Sequence, residues 1–155
     1  MRDINQICDY IISRLKSDEN VPLSNIKLQK LLYYVQAWHI AIKNTTLFDG
    51  KFEAWVHGPV NRDVYTRFNS SKYLYSEITQ DDIIDKDVSS KLNKDEIKHI
   101  NLVLDSYAKF SGIQLEEMSH NEMPWIDARE GYQPNERCTV EINEITLGAF
   151  FRARL

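Results

Sequence analysis

The residues from Leu28 to Ala41 read Leu-Gln-Lys-Leu-Leu-Tyr-Tyr-Val-Gln-Ala-Trp-His-Ile-Ala, and this stretch has helical periodicity without a polar face. Leu28, Leu31, Leu32, Val35, Trp38 and Ile42 fall on one side of the helical wheel, with Tyr33, Ala37, Ile40 and Ala41 on the other. A helix that is apolar all round has to be enclosed by other elements. The stretch is therefore expected to be the hub of a compact domain. Ser24 is placed to cap it by accepting an orphan first-turn amide, and the helix is expected to run from Asn25 to about Lys43.

Two motifs follow the hub. Asp49-Gly50, between Leu47-Phe48 and Lys51-Phe52, supplies the positive-φ pair of a two-residue turn, so a short hairpin is expected there. Its second strand would carry Phe52, Ala54 and Val56 on one face and Glu53, Trp55 and His57 on the other. Gly58-Pro59 is expected to end that strand and open a helix along which Val60, Val64, Tyr65 and Phe68 step, with Asn61, Arg62 and Arg67 on its polar side.

The remaining segments read as helices with one irregular region. Ile4, Ile7, Cys8, Ile11, Ile12 and Leu15 predict a helix from about Asp3 to Lys16, broken by Ser17-Asp18-Glu19-Asn20 and Pro22. From Asn69 to Ser90 the pattern weakens into a loop or short strand. That loop contains Asp81 and Asp82, read either as a solvated acidic surface or as part of a partner surface. Asn93 with Glu96 predicts a capped helix to about Phe110, stopped by Ser111-Gly112. Ile113, Leu115 and Met118 suggest a shorter helix, and Pro124 begins another with Trp125, Ile126 and Ala128 inward. Val140 and Ile142 predict a brief strand, and Ile145, Leu147, Phe150 and Phe151 a docked C-terminal helix. The fold class is thus mostly α, an α+β arrangement around a buried central helix with a small β element, over residues 1–155 as one domain.

Bulk properties exclude several classes. A chain of 155 residues buries roughly 68–70% of its unfolded surface, enough for a core without metal or disulfide staples. The net charge of -4 argues against a nucleic-acid partner. Without an apolar run of about 20 residues, no membrane partner is expected either, and the localisation read from the sequence is cytoplasmic. Cys8 and Cys138 read as buried thiols.

Catalytic readings are weaker than structural ones. Glu116 and His120 stand four apart beside Glu117, but without a second histidine at ligand spacing, so an ion pair or a hydrogen-bonded histidine is the simpler account. His57 has no serine or cysteine in a nucleophile-elbow context and reads as a turn-stabilising residue. His39 is expected to be a satisfied core residue and His99 an exposed one. Lys30, one turn into the hub, would be costly inside unless paired, so it is expected to reach a carboxylate or the surface. Tyr33, Trp38, Trp125 and Phe150 read as core. Trp55, Arg62 and Tyr65 are of the types that anchor protein interfaces, and with His57 and the Asp81-Asp82 loop they form the expected partner-binding surface. No catalytic residue, metal or cofactor is expected.

Leu28-Gln29-Lys30-Leu31-Leu32-Tyr33, then Phe52-Glu53-Ala54-Trp55 with His57-Gly58-Pro59-Val60 and Tyr65, then Ser119-His120 with Pro124-Trp125 and Arg129, closely resemble the Panacea-domain antitoxins. Phage-associated members and a proteolytic-adaptor antitoxin belong to that family. The resemblance implies a mostly helical domain that neutralises a cognate toxin, encoded beside it, by binding it. Toxins of the family include small alarmone synthetases, and other members pass a toxin to a protease or carry a separate DNA-binding domain. Three functions are therefore carried forward: a blocking antitoxin, a protease adaptor, and a small metal-dependent hydrolase.

Overall fold

The computed structural model describes residues 1–17 and 20–155. The expected break at Ser17–Asn20 includes Asp18 and Glu19, which lie outside the described residues. Helix α1 spans Ile4–Lys16 and is opened by a capping box from Asp3 and Gln6. The hub, α2, spans Asn25–Lys43, with Ser24 Oγ accepting from Lys27 N at 3.2 Å. Then come α3 (Arg62–Phe68), α4 (Val88–Lys91), α5 (Lys94–Tyr107), α6 (Gly112–His120), α7 (Met123–Ala128) and α8 (Glu144–Arg152). Helices α1, α5, α6 and α8 pack around α2. Leu28, Leu31, Leu32, Tyr33, Tyr34 and Val35 are accordingly fully buried. Among the described residues no helix is long and apolar enough to cross a membrane.

The enclosure of α2 is not complete. Ile42 is 53% exposed, because the outer edge of α2 meets only a shallow groove shared with Leu102 and Phe110 of the α5 side. Ile145 is 84% exposed on α8, whose inner face is carried by Leu147 and Phe151. Trp38, Trp125 and Phe150 are only partly buried, packed against the core rather than inside it.

The hairpin forms one segment later than Asp49-Gly50 predicts. Strand β2 (Phe48–Asp49) pairs in parallel with β1 (Arg2–Asp3), and the Gln36 side chain satisfies Leu47 N, Phe48 N and Phe48 O. With its backbone groups bonded to distant elements, this stretch has no ladder left for Lys51-Phe52. The hairpin is instead β3 (Glu53–Trp55) against β4 (Gly58–Val60), turning at Val56-His57. Gly58-Pro59 therefore belongs to a strand rather than ending one. Helix α3 begins after Asn61, whose Oδ1 accepts from Val64 N at 3.1 Å and whose Nδ2 donates to Lys51 O at 2.9 Å. Replacing Asn61 with alanine is expected to cost about 1–2 kcal/mol, read as a shift of the urea midpoint. A bridge between Glu53 and Glu141, with Ala54 N donating to Val140 O, adds the expected Val140-Ile142 pairing as a third edge.

Several side chains exchange roles relative to their local patterns. His99 is buried with Nε2 bonded to Val35 O at 2.9 Å, because it shares a helical face with Val103 at the α2 contact. His39 is half-buried and holds Thr45 O. Arg67, on the expected polar side of α3, is drawn inward to the buried carboxylate of Asp9, which also accepts from Ile84 N and Asp85 N. Helix α5 ends at Tyr107 with Ala108 as its C-cap, short of Phe110, and Ser111 instead caps α6, with Gln114 completing the capping box.

Candidate functional site

The hairpin and the start of α3 place an ordered constellation at the surface. Glu53 accepts two hydrogen bonds from Arg62, at 3.1 and 2.7 Å, and a third from Trp55 Nε1 at 2.8 Å. These bonds hold the Glu53 carboxyl below its ordinary range against the desolvation that would raise it. Arg62 lies 5.4 Å from the centre of the Trp55 ring, and Tyr65 meets that ring edge-on at 5.0 Å. An arginine and two aromatics are thus held in fixed positions at the surface.

These residues wall a groove of about 670 Å³. Ile26, Gln29 and Val60 line it from α2 and β4. Gln29 secures that junction by accepting from Asn61 N at 2.9 Å and donating to Asn61 O at 3.1 Å. One rim comes from Lys72, Tyr73 and Leu74, set in place because Leu74 O and Ser76 O accept the Ile26 and Asn25 amides that begin α2. The other rim is Asn135, Arg137, Cys138 and Thr139. Buried Arg129 shapes it, donating to Ala54 O, Gln133 O and Glu136 O at 2.8, 2.8 and 2.6 Å.

Beneath the hairpin lies a polar cluster built on Lys30. Its side chain is fully buried, and Nζ donates to Pro59 O at 3.1 Å rather than to a carboxylate or to the surface. Burial lowers its pKa from 10.5 to about 7, with Glu116 opposing the shift. The sequence expectation fails because β4 lies across this turn of α2 and offers a carbonyl first. Gly58, at φ +99°, leaves the space that the Lys30 stem occupies. Glu116 is bonded to His57 Nδ1 at 3.2 Å rather than paired with His120. This contact ties the hairpin turn to α6. His120 stacks on Trp125 at 4.2 Å, its Nε2 is buried with no hydrogen-bond partner among the described residues, and burial lowers its pKa. Ser119 is sealed inside and donates to Glu116 O at 2.8 Å.

The structure brings Trp55, His57, Arg62 and Tyr65 together on one groove, with Gln29, Lys30 and Val60 also lining it. Leu28, Leu32 and Tyr33 are core, and Trp125 braces the hairpin by donating to Trp55 O at 2.9 Å. Asp81 and Asp82 do not line the groove. Asp82 closes a cap on Thr79 N, faces Lys72 at 3.3 Å, and gives its carbonyl to Arg67, which anchors that loop on α1. Tyr73, Asn135 and Arg137 had no signal in the sequence, since neither rim has periodicity.

The profile of the family described as Antitoxin SocA-like, Panacea domain, matches residues 28–126. The chain belongs to this family. A curated relative, Antitoxin SocA of Caulobacter vibrioides (strain NA1000 / CB15N), is 36% identical over 112 residues, covering 68% of this chain and 60% of the relative. No solved structure matches the chain. The Panacea-domain match runs from the first turn of the hub into α7, so it contains the Lys30 cluster, the hairpin and the Trp55–Tyr65 wall. The Asn135 to Thr139 rim falls outside it.

Proposed function

We propose that this protein is an antitoxin that neutralises a cognate protein toxin, encoded beside it, by occupying the toxin's surface. Membership of the SocA-like antitoxin family supports this reading. The observation that carries it to direct binding is the Trp55–Arg62–Tyr65 constellation, pre-ordered on Glu53 at the edge of an open groove. Rigid aromatics and arginine are the groups that dominate interface energetics, and fixing them beforehand lowers the entropy cost of association. An interface of standard size would cover about 800 Å² on each partner, enough to obstruct a nucleotide or translation-factor site such as that of a small alarmone synthetase. The chain contributes exclusion of substrate and no bond-making step.

Co-purification with the product of the adjacent open reading frame tests the pairing. Substituting Trp55, Arg62 and Tyr65 together by alanine is expected to weaken that complex by about tenfold or more while the helical circular-dichroism signal is retained. Unchanged affinity in the folded triple variant would remove the groove from the interface. Toxin abundance during rescue separates blocking from delivery to a protease: blocking leaves it steady, delivery depletes it.

A further inference from the structure

The groove has the opposite charge character to the molecule as a whole. The chain carries a net charge of -4, yet the charged residues lining the groove are Lys30, Arg62, Lys72 and Arg137, with no aspartate or glutamate among the described residues. Three of these cations have partners within the fold. Lys30 is sealed on Pro59 O, and Lys72 donates to Glu77 O and faces Asp82. Arg62 is held by Glu53, but the pair is oriented: the arginine side chain is 50% exposed and the carboxylate 15%, so the positive end faces outward. Arg137 is exposed and makes no side-chain hydrogen bond or ion pair among the described residues. Arg137 lines the same groove as Arg62. The Trp55 and Tyr65 rings line it too, with Tyr73, 85% exposed, on the Lys72 to Leu74 rim.

We propose that the groove receives an acidic segment of the partner protein, whose carboxylates pair with Arg137 and the outward face of Arg62 while an apolar side chain seats on Trp55 and Tyr65. The proposal rests on the antitoxin reading. Guanidinium pairs with carboxylate through two parallel hydrogen bonds, which fixes orientation as well as charge. The acidic balance of the whole chain suits a basic toxin surface, but the contact face has the reverse preference, and it is the contact face that sets register.

The test uses the full chain and its toxin, with affinity measured by titration calorimetry. Arg137→Glu is expected to bind about tenfold more weakly with an unchanged melting temperature, since the residue is exposed and unpaired. Arg137→Lys is expected to retain most of the affinity. Acidic residues of the toxin are then reversed to lysine one at a time, and one reversal is expected to restore binding to Arg137→Glu. Wild-type affinity in Arg137→Glu overturns the proposal and leaves the antitoxin reading standing. So does weakened binding that no reversal rescues. Tripolyphosphate binding that depends on Arg137 while toxin affinity does not would assign the groove to a small phosphorylated ligand and overturn the proposal as well. If the wild-type chain forms no complex with the toxin, the reading beneath the proposal fails first.

Discussion

Replacing Gly58 with alanine is expected to lower the folding free energy by about 4 kcal/mol, measured as the extrapolated value from urea denaturation. Two costs combine at this position. The backbone sits at φ +99°, where an L side chain is strained, and a Cβ there would come within 2.5 Å of Lys30 Cε and 3.0 Å of Ser119 Oγ. Neither neighbour can swing into solvent, because both side chains are fully buried. Gly131 separates the two costs. It has φ +88° with nothing within 4 Å of where a Cβ would stand, so Gly131→Ala is expected to cost only about 1 kcal/mol. Equal losses in the two variants would mean that the close approach to Lys30 contributes nothing. Because Gly58 pairs with Trp55 across the hairpin, the Gly58 variant is also expected to bind its partner more weakly than the Gly131 variant.

Between pH 7 and pH 9 the protein is expected to gain about 2 kcal/mol of stability from Lys30. Burial lowers this ammonium from 10.5 to about 7, so across that interval the unfolded chain holds a proton that the folded chain has released. Stability rises with pH wherever the unfolded state binds more protons, at about 1.4 kcal/mol per unit for one group. Lys27, also lowered by burial, adds to the rise. Above pH 9 the trend is opposed, since Cys8 is pushed up from 9.0 to about 12 and Tyr33 and Tyr34 are raised, and the unfolded chain loses those protons first. On the acid side Glu122, pushed up by burial from 4.5 to about 7, contributes stability present below 4.5 and lost as pH rises through 7. His99 and His120, both lowered, oppose it by favouring unfolding as pH falls below 6.5. The clean window is therefore the alkaline one. Lys30→Met is expected to flatten most of the pH 7 to 9 slope, and an unchanged slope in that variant would show that Lys30 is not its source.

One wall of the groove was legible for a simple reason. Trp55, His57, Arg62 and Tyr65 lie within one short stretch, and a hairpin leading into a helix had to keep them close together. Asp81 and Asp82 looked equally suited to that surface by composition, yet the Thr79 cap and the Arg67 contact turn their loop toward α1. No local pattern encodes which way a loop is anchored. The second wall of the groove was equally hidden, because Arg137 arrives through the carbonyls that Arg129 gathers from two separate segments.

What the amino-acid order determined by itself was everything that depends on neighbours three or four residues apart: the buried hub from Asn25 to Lys43, the Ser24 and Asn93 caps, and the apolar stripe of α1. Those features follow from helical periodicity and from side chains bonding the nearest backbone amides. Tertiary structure decided the rest. It moved the hairpin from Asp49-Gly50 to Val56-His57 because Gln36 and β1 claimed the earlier backbone, and it placed His99 rather than His39 inside because α5 packs on α2 there. It also enclosed Lys30, since a strand brought from about thirty residues away supplied the carbonyl that a buried ammonium needs. Such outcomes turn on which distant group reaches a backbone donor or acceptor first, and local spacing carries no record of that competition.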